Sequence, residues 1–392
     1  MYKIGILNFT KAFSSGGGFH YILSLLEGLR VEKNFEVYVF YDDINFEEKF
    51  SGTNNLKRIY IDEHENIIPK MIRSSFTYFG LKTPFLGRYE KIRDLKMDLL
   101  ISFGSNVGFQ VGVPTISFIG DVMYRYYPNL SEYSFLGNLV RDISTKKLLK
   151  HSDYVVVDSI ESAQDLNSFF KVTMDKLIPI QMCAPPYIYK YKNLSEKEIS
   201  RICDLYLLPD NFIFYPAQFW SHKNHERLIK ALHLLKVKYH TIVNAVFVGA
   251  KWESYDNVIE LINQLSMAEQ IKCLGYVSEK DLVALYMKAV ALVFASFAEY
   301  TNIPVVEAMV LGTPVLCSNK FSMPGQIGDA GVLFDPFDIE DMAEKILKVW
   351  LDKDIQAKLS RKGFLRAEEL SDDNFNIAWK RLIIQALNKS NI

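Results

Sequence analysis

The sequence predicts an α/β protein made of two doubly wound parallel sheets. Three observations carry this. Short, almost unbroken apolar runs alternate with amphipathic stretches along the whole chain, the pattern of buried parallel strands and their crossover helices. The alternation restarts after a proline pair near residue 185. The 392 residues suffice for two domains, each with its own core. In the first half the expected strands are 3–8, 36–41, 56–61, 98–103, 115–119, 154–158 and 177–182, with a helix over 19–29 behind the first strand. The segment 184–195, APPYIYKYKNLS, has adjacent prolines and little periodicity and reads as a linker. A second series follows: strands 212–217, 242–248, 271–274, 289–297 and 313–318, with a helix from Asn224. At the end, Phe375, Ala378, Trp379, Leu382, Ile383 and Ala386 recur at the spacing of one buried helical face. The expected divisions are 1–185, 186–371 and a final helix over 372–392.

Composition narrows the function classes. With 49% hydrophobic residues and a net charge of −1, the chain reads as folded, without the global charge that recruits a polyanion. No nucleic-acid recognition motif is present, so no nucleic acid is expected. The cysteines at 183, 203, 273 and 317 form no CxxC pair, which argues against a disulfide framework or zinc site and for a reducing cytosol. The chain opens on a strand and lacks the apolar core of a signal peptide. The charge-free run 99–120 is interrupted by Asn106, Gln110, Pro114 and glycines, and reads as strand, loop, strand. From Lys70 to Lys96, basic residues at 70, 73, 82, 88, 91, 93 and 96 face only Glu90 and Asp94, with Phe76, Tyr78, Phe79, Phe85 and Leu86 among them. This pattern suits a surface resting on anionic lipid headgroups, and equally a core-facing helix with a solvated basic face.

The chemistry concentrates in AVALVFASFAEYTNIPVVEAMVLGTPVLCSN, residues 289–319. A strand leads into the polar loop Glu299, Tyr300, Thr301, Asn302. Pro304 sits where a first helical turn tolerates a missing N–H, and Gly312 closes the helix. Glu299 and Glu307 can face one crevice at the carboxyl end of the strand, where open α/β sheets bind ligands and a helix N-terminus attracts anions. Upstream, QFWSHKNH (218–225) puts Lys223 at the mouth of a strand-to-helix connection, where a cation stabilises a diphosphate. His222 and His225 lack the further ligands of a metal site, so none is expected. The turn Leu274–Val277 offers backbone groups to a base. In FTKAFSSGGGF, Gly16, Gly17 and Gly18 would let the backbone approach a phosphate, or form a flexible turn. Asp121 follows a strand and either contacts a sugar hydroxyl or caps the next turn. Tyr124, Tyr126 and Tyr127 either stack on a sugar or pack. The DxD of the chain, Asp352 to Asp354, lies in a polar stretch and reads as a solvated turn, not a carboxylate-held metal site.

Together these residues resemble the retaining family 4 glycosyltransferases of the two-Rossmann-domain (GT-B) architecture. The family pattern E-G-F-G-L-P-x-x-E-A-M-A-x-G-x-P-V corresponds to Glu299-Tyr-Thr-Asn-Ile-Pro304-Val-Val-Glu307-Ala-Met-Val-Leu-Gly312-Thr-Pro314-Val. The Gln218–His225 run, the Leu274–Val277 turn and the Gly328–Gly331 loop agree in order. The resemblance covers the second half strongly and the first thinly. It implies two Rossmann-like domains facing a central cleft, with the last helix crossing back to the first domain and a hinge near Pro185. Glu307 would hold the ribose of a nucleotide sugar and Glu299 the transferred sugar. Thr301, Asn302 and Ile303 would present backbone donors, and Val277 would meet the base. Lys223 would bind the diphosphate, approached by Gly16 and Gly17 from the other domain. Three departures stand out: Gln218 for an arginine, Tyr300-Thr301-Asn302 for Gly-Phe-Gly, and Gly120 for a histidine before Asp121, whose part Asp121 or Arg125 would take.

The expected function is transfer of a hexose or deoxyhexose, with a GDP-mannose type donor in view, to a glycan or lipid-linked acceptor in surface polysaccharide assembly. It is expected to be metal-independent and to need no cofactor beyond the nucleotide-sugar donor substrate. The expected place is the cytoplasm, with peripheral contact on the inner face of the membrane. A rival reading is a non-catalytic GT-B subunit that binds glycan or a partner enzyme, and a third is a nucleotide-sugar epimerase on the same fold.

Overall fold

A computed structural model describes residues 1–8, 16–42, 56–61, 67–79, 81, 86–103, 113–300 and 302–389. The chain divides into two units. One comprises Met1–Pro128, Tyr133–Met182 and Asp372–Ile392, the other Asn129–Glu132 and Cys183–Ser371.

The first unit holds β1 (Tyr2–Asn8), β2 (Phe35–Tyr41), β3 (Lys57–Tyr60), β4 (Leu99–Phe103), β5 (Thr115–Phe118), β6 (Tyr154–Val157) and β7 (Leu177–Pro179). They form one sheet in the order β3-β2-β1-β4-β5-β6-β7, all pairs parallel. The runs LLISF, TISF and YVVV are buried on both faces, as a parallel sheet covered by helices requires. The order reverses between β1 and β4, the topological switch of a doubly wound sheet. Its helices are α1 (Gly16–Arg30), α2 (Ile67–Tyr78), α3 (Glu90–Asp94), α4 (Phe135–His151) and α5 (Ile160–Phe170). Ser134 and Ser159 cap the last two through side-chain oxygens that accept from Gly137 and Ser162. Strands β6 and β7 end earlier than their apolar runs suggest, so Asp158 lies just past the β6 end. The loop expected between β4 and β5 lies largely outside the described residues.

Helix α2 is not core-facing. Among its described side chains none is buried, and Ile68, Met71 and Ile72 are exposed. It packs on α4, whose first turns also expose Phe135, Leu136, Leu139 and Val140. Of the basic segment, residues 80 and 82–85 lie outside the described residues.

In the second unit the expected linker folds. Pro186 opens α6 (Pro186–Tyr191), where its fixed φ and missing N–H cost nothing, and Tyr187 and Ile188 are buried in the core. α7 (Glu196–Leu205) follows a capping box of Ser195 and Glu198. Strands β8 (Ile213–Pro216), β9 (Ala245–Val248), β10 (Ile271–Cys273), β11 (Ala291–Phe294), β12 (Val315–Ser318) and β13 (Gly331–Phe334) form a parallel sheet in the order β10-β9-β8-β11-β12-β13. Its switch lies between β8 and β11. The helices are α8 (His225–Lys238), α9 (Tyr255–Gln264), α10 (Glu279–Lys288), α11 (Ile303–Val310), α12 (Met323–Ile327), α13 (Ile339–Leu351) and α14 (Lys353–Glu369). Gly312 follows α11 at φ +74°, a conformation that glycine adopts without steric cost. The DxD is the joint between α13 and α14, where Asp352 accepts from the Ile355 N–H at 2.9 Å.

The final helix, α15 (Asp372–Lys389), belongs to the first unit and packs on α1. Trp379 is fully buried and its indole N–H donates to the Tyr21 hydroxyl at 3.3 Å. The Trp379 and Phe103 rings lie 6.4 Å apart. The last helix therefore completes the first core. Trp379→Ala should cost about 3–5 kcal/mol. Hydrogen exchange should then accelerate in β1 and β4 while second-unit amides keep their protection.

Candidate functional site

At the β8/β11 switch two connections meet. After β8 the chain runs through Gln218 into a tight turn, Ser221–Lys223, and Asn224 takes a left-handed conformation before α8. After β11 the chain leaves the ladder at Ala295 and bonds to that turn instead. The Phe297 N–H and Ser296 hydroxyl both donate to the His222 carbonyl, at 3.0 and 3.1 Å. Asn224 fastens the join with its side-chain amide, which donates to the carbonyls of Ala295 (3.1 Å) and Pro336 (2.7 Å). This is why β11 is shorter than its apolar run. It also brings Lys223 and Glu299 together.

Lys223 is ion-paired with Glu299, both side chains largely shielded from solvent. His222 lies between two carboxylates, Nδ1 3.3 Å from Glu132 and Nε2 3.4 Å from Glu299. Burial pulls the Lys223 ammonium down to about 7, against the opposing pull of Glu132. Glu132 joins the second unit through its neighbour Ser131, which donates to Glu253 at 2.6 Å, and Glu253 also accepts from the Ser221 N–H at 3.2 Å. The cluster thus holds a lysine, a histidine and two carboxylates at the carboxyl edge of the sheet. His225 faces away from it, stacked on Phe219 at 4.4 Å, and burial holds its imidazole neutral with a pKa near 3.

Glu307 lies in α11 and is almost fully buried. Its carboxylate accepts from the Tyr187 hydroxyl and, at 2.6 Å, from the Tyr286 hydroxyl. Burial raises its pKa above the usual carboxylate value, and the two phenols pull it back down. Asn302 precedes α11, its amide donating to the Tyr300 carbonyl at 3.2 Å. The Asn302 carbonyl in turn accepts from Gln326 at 2.9 Å, and Ser322 donates to the Tyr300 carbonyl. Ile303 is the first residue of α11, and Thr301 lies outside the described residues.

The remaining predicted residues lie outside these two centres. Gln218 donates to the Tyr276 hydroxyl at 3.3 Å and accepts from the Trp220 indole at 2.9 Å. Val277 packs against the second core, beside the exposed Tyr276. In the first unit, Gly16 and Gly17 open α1. Asp121 accepts from the Met123 N–H at 3.0 Å, as a turn cap does. Arg125 is held by Asp142 and lies over the Phe170 ring at 4.9 Å. Tyr124 donates to Asp142 at 2.8 Å and Tyr126 to Asp165 at 2.6 Å. The residues that sequence reasoning missed are Glu132, Tyr187, Tyr286, Ser322 and Gln326. None sits in the motif it serves, and the pairing of sheet edges is the only signal that finds them.

Residues 206–366 match the family described as Glycosyl transferases group 1. The likeness to group 1 glycosyl transferases is carried by this stretch, less than half of the chain. The matched stretch contains both centres described above except Glu132 and Tyr187. The O-antigen chain mannosyltransferase B of Escherichia coli is 29% identical over 234 residues, covering 59% of this chain and 58% of that protein. The chain thus spans little more than half of that relative's length. A glycosyltransferase from Rickettsia africae superposes with a TM-score of 0.76 at 18% identity, over 99% of this chain and 98% of that one. Anabaena HepE, solved with UDP and glucose, gives a TM-score of 0.74 at 15% identity, over 98% of this chain and all of that one. The likeness is one of fold, and the fold is the two-Rossmann-domain (GT-B) one.

The matched stretch carries a pH signature at Glu307. Its raised pKa means that the folded state holds a proton the unfolded state has lost. Stability from that neutral carboxyl is complete below the ordinary carboxylate range and is lost as pH rises through the folded value. Tyr286→Phe removes a donor that lowers the pKa and should destabilise by about 1.5–3 kcal/mol once Glu307 is ionised. Urea midpoints should therefore differ between variant and wild type more at about pH 8 than at about pH 5.

Proposed function

We propose that the protein is a retaining, metal-independent glycosyltransferase of surface polysaccharide biosynthesis. It moves a hexose or deoxyhexose, of the mannose type from a GDP-sugar, to a glycan or lipid-linked acceptor. The observation that carries this reading is the meeting of Lys223 and Glu299 at the β8/β11 switch of a group 1 transferase domain, with the α11 N-terminus following directly. The O-antigen mannosyltransferase among the relatives supports mannose and polysaccharide assembly.

In this reading the diphosphate takes Lys223 from Glu299, restores the full charge of the ammonium, and frees the carboxylate for the hydroxyls of the sugar. Asn302 and Ile303 direct backbone donors at sugar and phosphate, while Glu307 accepts from the ribose and Val277 packs beside the base. Gly16 and Gly17 approach the distal phosphate. The leaving diphosphate takes the acceptor's proton on the face where the new bond forms, which retains configuration. Asp121 contacts a sugar hydroxyl.

The exposed apolar residues of α2 and α4 support peripheral contact with an anionic membrane. Ile68, Met71, Phe135 and Leu136 are exposed, and Arg73 and Arg141 lie on the same two helices. Among the described residues no helix is long and apolar enough to cross a bilayer.

A second reading, a non-catalytic glycan-binding or partner subunit, draws on Gln218, which stands in place of an arginine and bonds to Tyr276 and Trp220. A donor panel separates the two.

Thermal-shift screening against GDP, UDP, TDP and ADP should give the largest shift with GDP, about 2.7 kcal/mol of stabilisation at a hundredfold excess over Kd. Glu307→Ala should abolish the shift and turnover together, and unchanged values would sink the assignment. Turnover should survive a chelator; loss restored by manganese would contradict metal independence. Vesicles with anionic lipid should sediment the protein at low salt, and the Phe135→Ser, Leu136→Ser double variant should stay in solution.

A further inference from the structure

Lys223 and Glu299 each have a part in binding the donor; His222, which adjoins both, has none. Its side chain is only 10% exposed, with Nδ1 3.3 Å from Glu132 and Nε2 3.4 Å from Glu299. Both ring nitrogens therefore face acceptors. A neutral imidazole donates from one nitrogen and turns a lone pair on the other carboxylate, whereas the imidazolium donates from both. Charge balance points the same way. Glu132 and Glu299 are two acids, Lys223 is one cation on the same carboxylate, and a protonated His222 makes this shielded cluster even. The neighbouring groups do not oppose that charge. His225, on α8, is kept neutral by burial, and Glu253 is acidic and engaged by the Ser131 hydroxyl and the Ser221 N–H.

The fold places the three residues independently of their charges. The His222 carbonyl accepts from the Phe297 N–H at 3.0 Å and the Ser296 hydroxyl at 3.1 Å, and Glu299 follows two positions after Phe297. On the other side, Glu253 accepts from Ser131 and Ser221, the residues that precede Glu132 and His222. All of these residues belong to the second unit. Lys223 and His222 meet the same oxygen of Glu299, Oε1. When a diphosphate draws Lys223 away, that oxygen keeps His222.

We propose that His222, backed by Glu132, is the positioning residue that holds Glu299 toward the transferred sugar once Lys223 has turned to the diphosphate. This role rests on the glycosyltransferase reading above. Oε1 stays on the imidazolium while the other carboxylate oxygen accepts from a sugar hydroxyl. Without His222 the carboxylate would follow Lys223 and compete with the diphosphate for it. His222 acts through Glu299 and transfers no proton.

The test uses the full chain. In nitrogen-15 spectra of the imidazole rings, wild-type His222, assigned by its absence from His222→Gln, should have both nitrogens protonated at about pH 7. Glu132→Gln should lose the second proton at a pH lower by about 1 or more, because an opposite charge has gone. GDP should move that loss to higher pH, because a cation leaves Glu299. With GDP-mannose as probe donor and methyl α-mannopyranoside as acceptor, His222→Gln should lower kcat by about tenfold or more. The donor KM should stay within about threefold, since the contact of Lys223 with the diphosphate is untouched. Glu132→Gln should match wild-type turnover at about pH 6 and fall below it as pH rises. A ring with one protonated nitrogen at about pH 7, or wild-type kcat in His222→Gln, overturns the proposal. So does a loss in Glu132→Gln that is equal at every pH and accompanied by a lowered Tm, which marks a structural role. If wild type releases no GDP from the donor and no nucleoside diphosphate raises its Tm, the transferase reading fails. The imidazole spectrum then still decides whether the bridge exists.

Discussion

A carboxylate that has left water needs donors, and the second unit is arranged around meeting that need for Glu307. The two phenols come from α6 and α10, and the carboxylate from α11. Three helices from separate parts of the chain thus converge on one ionisable group. The penalty for an unpaired buried carboxylate is several kcal/mol, well above the value of any single surface contact nearby. Their convergence fixes the axis of α11, and with it the Asn302 and Ile303 backbone at its first turn. Ser322 and Gln326 hold the same loop from the α12 side. The residues expected to meet a sugar are therefore set by a frame that lies behind them.

The second constraint is the join between the 221–223 turn and the loop after β11. Parallel strands leave their carboxyl ends unpaired, so the connections emerging there must satisfy their own backbone groups. Here they satisfy one another, through His222, Ser296 and Phe297, with Asn224 bonding to both sides. The charged side chains are then forced into one small volume. Lys223 loses water and keeps its charge only with help from carboxylates, which makes the site responsive to an incoming anion.

The alternation of buried runs was enough to read both sheets, because β4, β5, β6 and β11 are short, largely apolar runs that are buried on both faces. Pro304 and Gly312 marked α11 for the same local reason: each suits one position of a helix. Lys223 and Glu299 were each legible as residues that follow strands flanking the switch, but their pairing with one another was not. Other features had no local signal. The proline pair at 185 reads as a break, yet Pro186 starts a helix because Tyr187 and Ile188 find a core to enter. Tyr187 reaches Glu307 across 120 positions, and Glu132 reaches His222 from the far side of the linker. Helix α2 was ambiguous in sequence, since a basic face and an apolar face suit either burial or a bilayer. Its exposure is set by where α4 lies.

Asp158 and Glu307 are instructive as a pair. Both are acidic residues at the carboxyl side of a parallel sheet, both are nearly inaccessible, and burial raises both. Glu307 is answered twice by neighbours, and Asp158 not at all. If burial alone explained Asp158, an asparagine or serine would fill the same space at lower cost, since neither must give up a charge to leave water.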